Sequence, residues 1–203
     1  MPQVGTTATI PLFPLGTVLF PGGKLPLRIF EPRYVDMIGQ CMREQSSFGI
    51  VLIRHGNEAR QTPDDGQPDI FEVGTTTQII DFNQADNGLL GIVCQGQSKF
   101  SVRRTWNQSD HLMMAEVELH NPEAPGQLTE EHNTLLDVLR ELSEHPLIQK
   151  LQLEIDFDEA LSVSYRLADL LPIEPEIKQT LLQLRSPRER LTEIARLMTK
   201  YQG

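Results

Sequence analysis

The sequence predicts an α+β protein in two parts: a small closed or nearly closed β-barrel with one early helix over residues 7–121, then a C-terminal α-helical bundle over 127–203. Three observations carry this. Through the first 120 residues, apolar side chains recur in short runs at strand spacing. Beyond about residue 127 their spacing becomes that of amphipathic helices. Between the two lies Asn121-Pro122-Glu123-Ala124-Pro125-Gly126, rich in residues that end regular structure and read as a linker stiffened by its two prolines.

Residues 10–34 organise the first part. Ile10, Leu12, Phe13, Leu15, Val18, Leu19, Phe20, Leu25, Leu27, Ile29 and Phe30 surround Pro11, Pro14, Pro21, Pro26 and Pro32. Proline has no N–H for a strand ladder, so short extended pieces separated by fixed corners are expected. Pro21-Gly22-Gly23 is one corner. Leu25, Leu27 and Ile29 then alternate as one buried strand face, and Glu31-Pro32 opens a helix with proline at its first position. Tyr34, Met37, Ile38, Cys41 and Met42 continue that helix to about residue 44. Strands follow at 47–54 and 73–82, separated by a polar loop at 56–68. Asp86-Asn87-Gly88 reads as a type I′ hairpin turn leading into 89–95. A turn at Gly96–Lys99 and strands at 99–107 and 112–120 complete the meander. The polar tail Met1 to Thr6 is expected to be disordered.

In the second part, Leu135, Val138, Leu139 and Leu142 mark one helix. Val163, Leu167, Leu170 and Leu171 mark another that must stop before Pro172. Pro175 opens a third, with Ile177, Leu181 and Leu184. Ser186-Pro187-Arg188-Glu189 reads as a capping box with proline at the first helical position, starting a fourth that buries Leu191, Ile194, Ala195 and Met198.

The net charge of −10 is unevenly spread. Residues 116–159 hold twelve acidic residues against Arg140 and Lys150, so the rest of the chain is neutral. The run Glu154 to Glu159 is read as a solvated face with helix caps. Such a distribution opposes nucleic-acid binding, which needs clustered Lys and Arg. No run of about 18 apolar residues and no secretory leader is seen, so a cytoplasmic protein without a membrane partner is expected. Cys41 and Cys94 lack CxxC spacing and read as buried apolar residues.

The run Pro11-Leu12-Phe13-Pro14-Leu15, then Leu19-Phe20-Pro21-Gly22, then Leu25-Pro26-Leu27-Arg28-Ile29-Phe30-Glu31-Pro32-Arg33-Tyr34 resembles the opening of the Lon protease amino-terminal (substrate-binding) domain family. Phe48-Gly49-Ile50-Val51-Leu52-Ile53, Val73-Gly74-Thr75, Gly96 through Phe100, and Ala115 through Leu119 continue the likeness in order. The resemblance implies a PUA-like barrel and recognition of unfolded or damaged polypeptide. It implies a stand-alone form, since the chain ends at Gly203 before the ATPase and Ser-Lys protease modules of full-length Lon.

The residues agree that no enzyme is expected. There is no GxxxxGK[ST] phosphate loop and no GxGxxG. Ser98 lacks the glycine that a nucleophile elbow needs at position 100. Histidines 55, 111, 120, 132 and 145 are scattered without metal-ligand spacing. No catalytic residue, cofactor or metal is therefore expected. The candidate peptide-binding residues are Phe13, Phe20, Arg28, Phe30, Glu31, Arg33 and Tyr34. In one reading Arg28 and Glu31 pair and merely fix the strand-to-helix corner. In the other the corner rims a groove between barrel and bundle that accepts an extended apolar peptide. A free sheet edge is a further means of adding a guest strand. The expected partners are unfolded or damaged polypeptide and a protease or chaperone; the alternative function is an RNA-binding PUA-like module.

Overall fold

The computed structural model describes residues 6–58, 66–84 and 90–202, which fall into two units, Met1–Asn121 and Pro122–Gly203. The first holds β1 (Thr7–Leu15), β2 (Lys24–Ile29), α1 (Pro32–Glu44), β3 (Phe48–His55), β4 (Asp69–Gln84), β5 (Leu90–Asn107) and β6 (Met113–Leu119). The strands form one six-stranded sheet in the order β2-β5-β4-β3-β1-β6, and β5 also pairs with β6. Pairing thus runs from β5 through β4, β3, β1 and β6 and returns to β5, with β2 added outside on β5. Among the described residues only β1 and β3 pair in parallel.

β1 is one nine-residue strand through Pro11 and Pro14, not the short pieces expected. The reason is a change of partner. Residues 7–11 pair antiparallel with β6, whereas 12–15 pair with β3. The N–H of Leu119 donates to the carbonyl of Thr6, so by strand alternation Thr6, Ala8 and Ile10 bond to β6 while Thr7, Thr9 and Pro11 face away. Pro11 lacks its donor on the side where β3 has not begun, and Pro14 lacks its donor on the side where β6 has ended. Each proline stands where an N–H is not needed.

A second difference lies in β5, which continues through 96–99 instead of turning there. Its register with β4 shifts between Thr75/Thr77 and Ile79/Asp81, so bulges bend a long strand where separate strands were expected. Gly96 is the close-approach point. Its N–H donates to Gly23 O at 2.9 Å, its carbonyl accepts from Gly22 N at 2.8 Å, and a side-chain carbon on it would lie 2.3 Å from the Phe20 carbonyl oxygen. Gly49 and Gly74 have a shared cause: a methyl group on either would meet the Phe100 ring at 2.6 Å. Three motifs distant in sequence therefore converge on one buried ring.

β1 divides the apolar side chains between two clusters. Ile10 and Leu12 join Val51, Phe100, Met113, Ala115 and Val117 on one face. Phe13 and Leu15 join Ile29, Phe48, Ile50, Ile92 and Cys94 on the other, under Tyr34, Met37, Ile38 and Cys41 of α1. The Asp86-Asn87-Gly88 turn, residues 1–5 of the tail and residues 59–65 of the polar loop lie outside the described residues.

The second unit contains α2 (Asn133–Glu144), the short α3 (Pro146–Gln149), α4 (Ala160–Leu170), α5 (Pro175–Gln183) and α6 (Pro187–Gln202), with a 3₁₀ turn at Glu130–His132. The 3₁₀ turn and α3 are too short to leave a periodic trace. Arg190 of α6 is 0% exposed. Its guanidinium donates to both carboxylate oxygens of Glu123 at 2.9 and 3.0 Å, to Ser164 Oγ at 3.0 Å and to the carbonyls of Leu181 and Leu184 at 3.0 and 2.7 Å. It also lies 4.2 Å from the Tyr165 ring centre, and Tyr165 donates to Glu123. Residues 122–126, read from sequence as a linker, are thus fastened to their own unit. The N–H of Leu161 adds a bond to the Pro125 carbonyl.

Candidate functional site

The corner opening α1 is held by Arg33. Its guanidinium meets the Glu31 carboxylate at 2.9 Å and donates from Nη1 to the His111 carbonyl at 2.9 Å. It also lies 4.5 Å from the Tyr34 ring centre. Tyr34 stacks on Phe13 with centroids 4.0 Å apart, and desolvation pushes its hydroxyl pKa up to about 12. Glu31 pairs with Arg33 and not with Arg28, because Arg28 projects from the exposed surface of β2 while Arg33 turns inward.

The carbonyl that Arg33 engages belongs to a tight turn. His111 has φ of 66°, Gln67 donates a second bond to the same carbonyl at 2.8 Å, and Asp110 Oδ1 accepts from the Leu112 N–H at 3.0 Å. Gln108 and Leu112 of this turn form one wall of a cleft of about 420 Å³. Met37, Cys41 and Glu44 line it from α1, Thr9 to Pro11 from β1, Met114 from β6, and Ser46 and Ser47 from the segment entering β3. Its floor is apolar and its rim carries amides and hydroxyls, a combination suited to a peptide backbone bearing an apolar side chain. Glu44 is the one charged residue in the lining, and it accepts a bond from Gln40 at 3.0 Å. All these residues belong to the first unit.

The cleft opens where β1 changes partner. The pairing with β3 begins at Leu12 with Gly49, so the outward groups of Thr7 and Thr9 have no strand beside them among the described residues. Sequence reasoning missed this site. Its only sequence signal is Pro11, the residue that cannot extend the β3 ladder toward the start of the chain.

The seven sequence-derived candidates separate. Phe30 is 62% exposed and Arg28 is exposed. Arg33 and Tyr34 are buried, joined to half-buried Glu31 and to Phe13. Phe20 is 0% exposed, and with Phe13 it is core, so neither forms a rim. Burial pushes the Cys41 thiol up and the Cys94 thiol to about 11, so both stay protonated near neutrality. Among the described residues no group of three His, Cys, Asp or Glu side chains gathers as a metal site, and no helix is long and apolar enough to cross a membrane.

Comparison with known proteins gives a consistent result. Residues 9–200 match the ATP-dependent protease La (LON) substrate-binding domain. A crystal structure of a Lon N-terminal domain protein from Xanthomonas campestris is 34% identical with a TM-score of 0.75, over 93% of this chain and 97% of that one. The N-terminal domain of a Mycobacterium avium complex Lon protease shares the fold at 16% identity and a TM-score of 0.55, over 92% of this chain and 96% of that one. The Lon protease of Cytophaga hutchinsonii is 25% identical over 95% of this chain, which spans 24% of that protein. For the Lon protease of Anaeromyxobacter dehalogenans the figures are 29%, 52% and 12%. The chain thus spans about a quarter or less of these two Lon proteases. From the ordered motifs at the strand-to-helix corner to the helices of the second unit, the chain belongs to the Lon substrate-binding domain family.

Proposed function

We propose that the protein is a non-catalytic recognition module for unfolded or damaged polypeptide, working in the cytoplasm and passing clients to a protease or chaperone. The observation that carries this reading is the cleft beside α1, with Pro11, Met37, Cys41, Leu112 and Met114 beneath a rim of amides and hydroxyls. The ring of strand pairings is read as a PUA-like barrel whose change of partner in β1 leaves the cleft open. In this scheme Arg28 and Phe30, exposed but outside the cleft lining, do not contact a client held in the cleft. Glu31, Arg33 and Tyr34 act by holding the 108–112 turn, and Phe13 and Phe20 act through the core.

The RNA-binding alternative finds less support. Trp106 is partly exposed on β5 beside Arg104, as a base-stacking residue would be. Yet Arg103 pairs with Glu118 and Arg104 with Glu116, which cancels the positive stripe that phosphate binding requires. Affinity from apolar burial should survive added salt, whereas phosphate contacts should not. The test is titration of a reduced, unfolded polypeptide at low and moderate salt. Micromolar-class binding that changes little is expected; tight, salt-labile RNA binding without polypeptide binding would refute the proposal.

A further inference from the structure

We infer that the client enters this cleft as a β-strand, pairing with the free half-edge of β1 at Thr7 and Thr9 and sending alternate apolar side chains into the cleft beneath α1. The inference rests on the polypeptide-binding reading above and adds the client's conformation, its register and the backbone groups that hold it.

Alternation fixes the geometry. Because Thr6 accepts from Leu119, the N–H and C=O of Thr7 and Thr9 point away from β6. On that side β3 starts only at the level of Leu12. A guest strand laid there continues the line of β3 toward the start of β1 and satisfies groups beside which no described strand lies. Thr9 and Pro11 share the face of β1 that carries Phe13, the face covered by α1, so every second side chain of the guest projects into the cleft.

Two other edges among the described residues are guarded. On β2 the bond from Gly96 N to Gly23 O sets Leu25, Leu27 and Ile29 toward β5, leaving Lys24, Pro26 and Arg28 outward. Proline withholds the central donor there, and two cations flank it, a common protection of an edge strand. The outer half of β4 is interrupted by the shift between Ile79 and Asp81, and Asp81 Oδ1 accepts from the Phe82 N–H at 2.9 Å. The β1 half-edge carries a proline only at its end, Pro11, where β3 takes over; the donors of Thr7 and Thr9 remain, no cation flanks them on β1, and the edge adjoins the cleft. Glu44, the only charge in the lining, favours a neutral or basic guest over an acidic one.

The test uses the full chain and a short capped peptide alternating serine and leucine, with two further versions N-methylated on every leucine or on every serine. A paired strand directs alternate amides at its neighbour, so one methylated version should lose about tenfold in affinity or more and the other should bind like the parent. Thr9→Pro removes an N–H that β6 does not use; it should weaken the parent peptide severalfold while leaving the circular dichroism and melting of the protein unchanged. Equal binding by both methylated peptides, or equal loss, would overturn strand pairing while leaving polypeptide recognition standing. Failure of the parent peptide and of unfolded protein alike would remove both readings. Sedimentation showing that Thr9→Pro dissolves a dimer would overturn the inference in favour of a second copy as the occupant.

Discussion

Replacing Arg33 with methionine tests whether the Glu31-Pro32-Arg33-Tyr34 corner works by contact or by support. The structure allows the loss to be sized. Arg33 is 8% exposed, and its charge-assisted bond to the His111 carbonyl is worth about 1.5–3 kcal/mol. Its position over the Tyr34 ring adds about 0.5–2 kcal/mol. The Glu31 carboxylate, 17% exposed, loses a close partner at a cost of about 1 kcal/mol after allowance for solvent screening. Methionine recovers some apolar contact, so the net loss should be about 3 kcal/mol. In urea that is a fall in midpoint of roughly 1.5 M for a typical slope. Glu31→Gln should cost only about 1 kcal/mol. Where Arg33→Met is still folded, it should also weaken polypeptide binding, because the Gln108 to Leu112 wall of the cleft is no longer fastened. A loss below about 1 kcal/mol, with the affinity unchanged, would refute the idea that this corner builds the cleft wall.

Three other outcomes are expected. Arg190→Met should cost about 3–5 kcal/mol by leaving the buried Glu123 carboxylate without its cationic partner, with the Tyr165 hydroxyl still donating to it, and adding Glu123→Leu should recover part of it; strictly additive losses in a denaturant double-mutant cycle would contradict the coupling. Gly74→Ala should be destabilised by about 2 kcal/mol or more, with partial rescue by Phe100→Leu, since the added methyl meets the ring at 2.6 Å and the Ile50 carbonyl at 2.5 Å. The Tyr34 hydroxyl ionises near pH 10 when unfolded but near 12 when folded, so its contribution is fully present below pH 10 and is lost as pH rises from 10 to 12. Urea midpoints should fall over that range, and Tyr34→Phe should flatten the fall.

How far the chain could be read depended on the range of the interactions involved. The alternation of Leu25, Leu27 and Ile29 and the proline-led start of α1 are local, and both stand where expected. β1 and β5 were misread because their form depends on partners far away in sequence. Pro11 and Pro14 break a strand only if it needs donors on both sides at those points, and a change of partner removes that need. Gly96 looked like a turn residue, yet it serves the approach of the Phe20-Pro21-Gly22-Gly23 corner. The site followed the same pattern. Phe13 and Phe20 resembled a binding rim because composition does not distinguish an exposed aromatic from a core one, while the cleft depends on a gap between strands that no single segment encodes.

The change of partner in β1 also bears on the order of events during synthesis. β1 is made early, but the strand that pairs with its first half, β6, ends at Leu119. At about 5–20 residues per second, β1 waits roughly 5–20 s for that partner. Until then its first half is unpaired on both sides, and Ile10 and Leu12 have no Val117 or Ala115 to cover them. The nascent chain therefore presents its own opening strand in the extended, apolar form that the finished protein is proposed to capture. A ribosome-bound chain halted before residue 113 should engage a holding chaperone through β1, and one extended well past 119 should release it.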